Sequence, residues 1–362
     1  MRFLDEQDVR SVFDLDTAIA SQRTAFIALA RGEAWQPGKI LGGHADDPST
    51  VFCYASRLDR LSGPVCKFGS LNPGNAGTDR PTIHAVVAVL DPHTGAPLAF
   101  MDGTALTTLR TAAASAVAVE ALARKGAARL LVLGSGVQGR AHIAALQHGG
   151  DYAWTGMWSP RRPSLDASVD RLREQGCEVE PVESLSDAIS GADVIVCATL
   201  ATEPLFSARE ISPGATIITV GSFERHRCEI GPDILYAGQR VVVDHEPTAR
   251  QNCGPIVAAR ARAEAPELEL LELGHVLTGD ETGRGSDDDI VTYLSAGLGV
   301  QDAAAAWAIH QRAEARGVGR SVDRPAASQP EFTSPELTPP DPVPPNPAVS
   351  HGHPQGVTDH DY

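Results

Sequence analysis

The sequence contains no apolar run close to the roughly 20 residues that a helix needs to cross a bilayer. Its first ten residues, MRFLDEQDVR, are acidic and lack the apolar stretch of a secretory signal peptide. Basic side chains are also in deficit, since 30 Lys and Arg stand against 46 Asp and Glu and give a net charge of −16. Because nucleic acid requires a basic face, we expect a cytoplasmic protein with no nucleic-acid partner and no membrane contact.

Cysteine is sparse and lysine is almost absent. The six cysteines form no CxxC pair and no cluster with histidine, which predicts reduced thiols and no metal site. Of the 30 basic residues, 27 are arginine, and the three lysines are Lys39, Lys67 and Lys125. In a chain with this bias toward arginine, each lysine is a candidate for a role that requires an amine.

Residues 130–142, which read LLVLGSGVQGRAH, contain a glycine-rich motif between an apolar run and a segment compatible with a helix. An apolar strand, a glycine-rich turn and a helix start follow one another, as in a dinucleotide-binding turn. Gly134 permits the sharp turn, Gly136 lets the backbone approach a pyrophosphate, and Gly139 lets the helix pack against the strand. We expect phosphates to bind the backbone N–H groups at the N-terminus of this helix.

The segment 129–244 alternates short apolar strands with helices, which predicts a parallel sheet covered on both faces and hence an α/β fold. Helices and loops are predicted over 245–305. The predicted strands of the parallel sheet are 129–133, 155–159, 194–198, 216–220 and 240–243. Elsewhere the pattern predicts a strand or turn and then a helix at 17–31, short antiparallel strands over 36–66, a strand at 65–70, a hairpin of 84–90 with 97–101, and helices at 105–125 and 298–316.

The composition changes after Gly317, and ten of the 26 prolines lie in residues 321–362. Such a segment cannot bury enough apolar surface to offset its ordering entropy, which predicts a disordered tail. His351 and His353 in this tail are interpreted as incidental rather than as metal ligands.

Several motifs in a fixed order give the chain a family resemblance. They are KFGSLNPGN (67–75), DPHTGAPLA (91–99), Asp102-Gly103, LTTLRTAA (106–113), the glycine turn, and DIVTYLSAGLGVQD (289–302). Over residues 10–318 the chain resembles the ornithine cyclodeaminase/mu-crystallin family. The resemblance implies hydride exchange between a nicotinamide and the Cα of an amino acid, by way of an imine.

The resemblance also implies a Rossmann domain joined to an α+β domain built from both chain ends. We assign 119–305 to the Rossmann dinucleotide-binding domain, and 1–118 with 306–320 to a substrate-binding and dimerisation domain. Residues 321–362 form the tail. Members of the family are typically homodimers or larger rings, so a homodimer is expected.

Lys67 matches the active-site lysine of the family, where its ammonium holds the substrate and donates a proton during imine reduction. Lys39 falls where the family usually has an arginine that clamps the substrate carboxylate, and a lysine there makes a point contact instead of a fork. Thr82 matches a threonine of the cofactor–substrate cleft. The resemblance assigns the cofactor to Thr82, Arg110, Thr111, Gly134, Gly136, Val137, Gln138, Gly139, Ser159, Arg161, Arg162, Val220 and Ser295, with the Arg110-Thr111 pair facing the phosphate.

The chain departs from the cyclodeaminases at Phe223, where those enzymes carry an aspartate that acts as general base. Glu224 is one residue further and is expected to point elsewhere if the backbone path is kept, although both residues belong to the predicted substrate site. The Gly-Ser-Phe form resembles the subgroup that reduces Δ1-pyrroline-2-carboxylate and related cyclic imines. An apolar wall at Phe223 suits a proline-like ring.

Cofactor choice depends on the end of the second strand of the Rossmann domain. Ser159, Arg161 and Arg162 offer a hydroxyl and two positive charges to a 2′-phosphate, where an acidic residue would bind the ribose of NAD. These residues favour NADP, with NAD as the alternative. The alternative interpretation of the two arginines is the start of a solvated helix.

The sequence therefore predicts an NAD(P)H-dependent reductase of small cyclic imino acids. Three alternatives stay open: an ornithine or lysine cyclodeaminase, a dehydrogenase of an open-chain amino acid such as alanine, and a mu-crystallin-like binder with little turnover. A cyclodeaminase would need Glu224 to replace the missing base.

Overall fold

The computed structural model describes residues 1–43, 46–75, 80, 82–262 and 266–322 of the chain. Its strands are β1 (Arg2–Leu4), β2 (Ile40–Gly42), β3 (Thr50–Ser56), β4 (Val65–Leu71), β5 (Ile83–Leu90), β6 (Pro97–Asp102), β7 (Arg129–Leu133), β8 (Trp154–Trp158), β9 (Glu180–Pro181), β10 (Val194–Cys197), β11 (Thr216–Thr219), β12 (Arg240–Val243), β13 (Leu271–Glu272), β14 (Val291–Leu294) and β15 (Arg320–Ser321). Its helices are α1 (Glu6–Val12), α2 (Leu15–Ala30), α3 (Gly103–Leu122), α4 (Val137–Gly149), α5 (Arg162–Glu174), α6 (Leu185–Ser190), α7 (Pro232–Ala237), α8 (Glu246–Asn252), α9 (Gly254–Arg260), α10 (Leu273–Thr278) and α11 (Gly299–Arg316).

Strands β7 to β14 form an eight-stranded sheet in the order β13-β12-β14-β11-β10-β7-β8-β9, and every neighbouring pair is parallel. Strand β7 lies between β8 and β10, so the strand order reverses at β7. In open sheets of this kind a crevice forms where the order reverses, at the carboxyl ends of the strands. The glycine-rich turn that follows β7 lies at this crevice.

Both faces of this sheet are buried. Leu131 and Leu133 of β7 belong to one apolar cluster, and Leu130 and Val132 belong to the cluster on the opposite face. Successive side chains of a strand point to opposite faces, which explains why β7 is apolar throughout. The predicted parallel α/β sheet and its five predicted strands are confirmed.

Strand β14 was not predicted, because residues 245–305 were expected to contain only helices and loops. It pairs with both β11 and β12 in the middle of the sheet. The expectation was wrong because β14 has four residues, all buried, and so short an apolar run shows no periodicity. Strand β13 was not predicted either, because its two residues are too few to show a periodicity.

The other sheet has seven strands in the order β15-β1-β6-β5-β4-β3-β2. Strands β2 to β6 form an antiparallel series, β1 is parallel to β6, and β15 is antiparallel to β1. The short antiparallel strands and the predicted hairpin are confirmed. Helices α1, α3 and α11 contribute to the apolar cluster that covers one face of this sheet, so both ends of the chain build this part of the molecule.

Helix α3 begins after Asp102, whose carboxylate accepts the backbone N–H of Ala105 at 2.7 Å, and it contributes to the cores of both sheets. It ends at Leu122, three residues before the predicted end at Lys125. The assigned boundaries at 118/119 and 305/306 fall inside α3 and α11, and the division into two domains stays a prediction.

The chain starts with more regular structure than expected. Helix α1 was missed, although Asp5 and Asp8 form a capping box at its N-terminus. At the other end Ser321 pairs with Arg2, and residues 323–362, with His351 and His353, lie outside the described residues.

No helix in the described ranges is both long and apolar enough to cross a membrane. All six cysteines are free thiols.

Candidate active site

A cavity of about 190 Å³ opens where the carboxyl ends of β11 and β14 face strands β3 and β4. Strand β4 presents Lys67 to this cavity, and α3 presents Arg110. The predicted site residues that line it are Lys67, Arg110, Thr111, Gln138, Val220, Phe223, Glu224 and Ser295. Residues that belong to or follow strands of both sheets therefore meet at one cavity.

The remaining predicted residues do not line the cavity. Thr82 is exposed beside Ile83, which does line it, and its carbonyl accepts the N–H of Asn72 at 2.7 Å. Gly134 and Gly136 lie in the turn after β7, and Val137 and Gly139 lie in the first turn of α4. Ser159 and Arg161 follow β8, and Arg162 begins α5. The role assigned to each of these residues stays a prediction.

Lys67, Arg110 and Asp302 form a buried ion cluster at the wall of the cavity. The Asp302 carboxylate lies 2.6 Å from Lys67 Nζ and 2.9 Å from Arg110 Nε, and the three side chains are almost inaccessible to solvent. Burial lowers the pKa of Lys67 to about 8, against the opposing effect of the Asp302 charge. One carboxylate faces two cations, so the cluster keeps an excess positive charge beside the cavity.

Lys39 is held next to this cluster. Its Nζ donates a hydrogen bond to the carbonyl of Ala296, and burial lowers its pKa although the nearby Asp244 raises it. Asp244 follows β12 and accepts the N–H groups of Ala296 at 2.8 Å and of Gly297 at 2.7 Å. This buried carboxylate fixes the turn after β14 and supplies a counter-charge for Lys39.

Phe223 and Glu224 both line the cavity, although Glu224 was expected to point elsewhere if the backbone path were kept. The Glu224 carboxylate lies 2.5 Å from Arg227 Nε, and the Arg227 guanidinium lies 5.1 Å from the centre of the Phe223 ring. The loop after β11 turns here, so neighbouring residues reach the same cavity instead of alternating as in a strand. An aromatic wall and a paired carboxylate result.

Glu229 organises this loop and was not recognised in the sequence. It is fully buried, and its carboxylate accepts the N–H of Thr199 at 2.6 Å and the N–H of Gly221 at 2.8 Å. Glu229 therefore ties the loop after β10 to the loop that carries Phe223. Burial raises the pKa of this carboxyl.

Asp302 and Tyr54 were not assigned either. Asp302 ends the quoted 289–302 motif, and the need for a counter-charge beside Lys67 was the signal that could have identified it. Tyr54 lies directly opposite Lys67 in the pairing of β3 with β4. That register is not readable from the sequence.

The glycine turn fits a dinucleotide. Gly134 has φ +115°, and a Cβ there would lie 2.3 Å from the carbonyl oxygen of Ala198. A Cβ at Gly139 would lie 1.8 Å from the Gly134 oxygen, whereas one at Gly136 would meet nothing within 4 Å. Gly136 also precedes α4, whose first N–H groups donate to no capping side chain among the described residues. Open backbone at a helix N-terminus is an anion site.

At the end of β8, the two arginines differ. Arg162 pairs with Asp166 at 2.9 Å and with Glu183 at 3.4 Å, whereas Arg161 forms no ion pair within the described part of the chain. The Ser159 hydroxyl accepts a hydrogen bond from Ser135 of the glycine turn at 3.1 Å. Ser159 and Arg161 are thus the groups here that remain open to a ligand phosphate.

Comparison with known proteins extends the resemblance. The model of the ornithine cyclodeaminase/mu-crystallin family matches residues 2–317. A Δ1-pyrroline-2-carboxylate reductase of Bacillus cereus is 28% identical, over 89% of this chain and 100% of its own. An alanine dehydrogenase of Archaeoglobus fulgidus is also 28% identical, over 88% of this chain and 97% of its own.

Solved structures of several enzymes are similar to this chain over most of its length. The Thermococcus litoralis Δ1-pyrroline-2-carboxylate reductase in complex with NADH and L-proline has a TM-score of 0.85, with 28% identity over 89% of this chain and 100% of that chain. An archaeal alanine dehydrogenase dimer with bound NAD has a TM-score of 0.82, with 27% identity over 89% and 99%. A lysine cyclodeaminase has a TM-score of 0.78, with 25% identity over 90% and 96%. The expected Rossmann-type fold is confirmed, and the chain belongs to the ornithine cyclodeaminase/mu-crystallin family, whose enzymes use NAD(P) and act on C–N bonds.

Proposed function

We propose that the chain is an NAD(P)H-dependent reductase of small cyclic imino acids of the Δ1-pyrroline-2-carboxylate and Δ1-piperideine-2-carboxylate type. The observation that carries the proposal is one cavity that is lined by both cationic and apolar side chains. Lys67 and Arg110 give it positive charge, and Val220 and Phe223 give it apolar walls. A cyclic imino acid has the matching chemistry, with a carboxylate at one side and a hydrocarbon ring at the other.

Lys67 has two tasks in this proposal. Its ammonium binds the substrate carboxylate together with Arg110 and Lys39, and it donates a proton to the imine nitrogen. A pKa of about 8 keeps Lys67 mostly protonated at neutral pH yet able to release the proton. This use of Arg110 adds to its predicted contact with the cofactor phosphate, which stays a prediction.

The bound cofactor supplies the hydride that converts the imine carbon into the Cα of the product. The C=N bond therefore gains a hydride at carbon and a proton at nitrogen, and a cyclic secondary amine results. Gly134, Gly136 and Gly139 shape the turn that would hold the pyrophosphate. Ser159 and Arg161 favour NADPH, whereas the solved Δ1-pyrroline-2-carboxylate reductase contains NADH and the solved alanine dehydrogenase contains NAD, so NAD is the alternative.

We also propose that two chains form a homodimer through the face of the seven-stranded sheet that α1, α3 and α11 do not cover. Lys67 points inward from β4, so the next residue, Phe68, points outward and is 49% exposed. On the same face lie Ile40, Val51 and Val86, which are 67%, 61% and 40% exposed. An apolar patch of this kind is typical of an interface, and the archaeal alanine dehydrogenase relative is a dimer.

The first experiment mixes the protein with NADPH and either cyclic imino acid and follows the absorbance of the reduced cofactor. We expect rapid consumption, and we expect Lys67→Ala to lower kcat by about 10²–10⁴-fold because the proton donor is lost. Lys125→Ala is the matched control, since Lys125 is exposed and lies outside the cavity. Equal losses in both variants would contradict the assignment of Lys67.

Ornithine cyclodeaminase is the second candidate, because Glu224 is among the residues that line the cavity. Cyclodeaminase activity would be detected as ammonia released from ornithine in the presence of substoichiometric NAD, with no net consumption of NADPH. That result, without imine reduction, would overturn the reductase and make Glu224 the base.

A further inference from the structure

Tyr54 borders the cavity between two amines. Its ring centre lies 4.8 Å from Lys67 Nζ and 5.7 Å from Lys39 Nζ, both within cation–π range. The pairing of β3 with β4 sets Tyr54 opposite Lys67, so both side chains leave the sheet on the face of the cavity. The aromatic face thus lies beside the groups assigned to the substrate carboxylate.

The hydroxyl of Tyr54 is a hydrogen-bond donor at the wall of the cavity. It forms no hydrogen bond with any residue in the described ranges, and the side chain is half-buried at the cavity wall. Burial and the Asp302 charge raise the pKa of Tyr54 to about 12, so the phenol keeps its proton at every pH at which the enzyme would work. By contrast, Lys39 donates to Ala296, and Lys67 and Arg110 bind Asp302.

A carboxylate accepts several hydrogen bonds at once. Lys39, Lys67 and Arg110, which already contact other protein groups, attract the negative charge of the substrate carboxylate. A neutral hydroxyl adds a directional hydrogen bond and requires no further counter-ion. We propose that Tyr54 is a further substrate-binding residue, whose hydroxyl donates a hydrogen bond to the carboxylate of the imino acid while its ring contacts the Lys39 and Lys67 ammonium groups. This inference rests on the proposed reductase function and adds a specificity element to the same site.

The test compares Tyr54→Phe, which removes only the hydroxyl, with Tyr54→Leu, which also removes the ring. We expect Tyr54→Phe to raise the KM for Δ1-pyrroline-2-carboxylate by about tenfold, the usual effect of losing a hydrogen bond to a charged group. We expect kcat and the KM for NADPH to stay unchanged. The dissociation constant of L-proline, measured by calorimetry with NADP⁺ bound, should rise by the same factor.

Tyr54→Leu adds a second signature. Without the ring, the ammonium of Lys67 loses a stabilising contact, so its pKa falls and activity is lost at a lower pH than in the wild type or in Tyr54→Phe. Tyr152→Phe is the matched control, because Tyr152 is half-buried and lies outside this cavity. It should change neither the KM nor the pH profile.

The outcomes separate this inference from the proposed function. An active wild type with an unchanged KM and L-proline affinity in Tyr54→Phe would overturn the role of Tyr54 and leave the reductase intact. A loss in kcat alone would also contradict substrate binding by the hydroxyl. A wild type that reduces no cyclic imino acid would overturn both.

Discussion

Asp302 lies between two cations, Lys67 and Arg110, and all three side chains are buried. Its charge raises the pKa of Lys67, whereas burial and Arg110 lower it. In the proposed reaction the ammonium form of Lys67 is the active one, so activity is present below this pKa and is lost as the pH rises through about 8. Asp302 thereby sets the pH range of the site without needing to touch the substrate.

We predict that Asp302→Asn shifts the alkaline loss of kcat/KM to lower pH, because the pKa of Lys67 falls further when the negative charge is removed. The measurement is the pH profile of kcat/KM, with thermal unfolding to verify that the variant folds. Glu120→Gln is the control, since Glu120 forms an exposed ion pair with Arg23 that contributes little to stability. An unshifted profile in folded Asp302→Asn would show that Asp302 does not control Lys67.

Residue types that carry chemistry were visible in the sequence, whereas their charge partners were not. Lys67, Phe223 and Gln138 were predicted and line one cavity. Asp302 lies 235 positions from Lys67 in the sequence. Tyr54 lies opposite Lys67 only because of the register in which β3 pairs with β4. Such contacts depend on the packing of separate elements, which local pattern does not encode.

At the scale of elements, the three glycines of the turn after β7 and of the first turn of α4 have different tasks. Gly134 and Gly139 lack space for a Cβ, because backbone oxygen atoms lie 2.3 Å and 1.8 Å from its position. Gly136 has free space around it and an ordinary φ of −73°. Gly134 and Gly139 are therefore required by the fold, and Gly136 is available to a ligand.

We predict that Gly136→Ala keeps the stability of the protein and weakens cofactor binding at least about tenfold, because the methyl group occupies the approach of the pyrophosphate. Gly139→Ala should instead destabilise the fold by about 1–3 kcal/mol through overpacking. Fluorescence titration with NADPH and thermal unfolding distinguish the two effects.

Gly149→Ala is the matched control, since Gly149 ends the same helix and a Cβ there meets nothing within 4 Å. Unchanged cofactor affinity in Gly136→Ala would show that the phosphates bind elsewhere.

Elements with strong periodicity or clear end signals were predicted within a few residues, among them α3, α11 and the strands β7, β8, β10, β11 and β12. Strand β9, which has two residues, was not predicted. Strand β14 was not predicted because it consists of Val291-Thr-Tyr-Leu294 alone and follows a run of aspartates. Its place between β11 and β12 is decided by the sheet, since each of its four residues pairs on both sides. Tertiary pairing, not local propensity, makes it a strand.

At the scale of the whole molecule, the two sheets differ in how they are covered. The eight-stranded sheet is buried on both faces. On the seven-stranded sheet the inward face packs against α1, α3 and α11, while large apolar residues are exposed on the other face. That difference is the structural basis of the proposed homodimer, and it leaves Lys67 and Tyr54 on the inward face, where both line the cavity.

Phe68 offers a direct test, because it lies one residue from Lys67 but on the opposite side of β4. In a dimer that covers this face, Phe68→Glu would bury an unpaired charge, which is strongly unfavourable. We predict that light scattering gives a dimer of two 38.1 kDa chains for the wild type and a single chain for Phe68→Glu. Leu61→Glu is the control, because Leu61 is 80% exposed and lies in the loop between β3 and β4. A monomeric wild type, or a Phe68→Glu variant that dimerises as well as Leu61→Glu does, would mean that this face is not the interface.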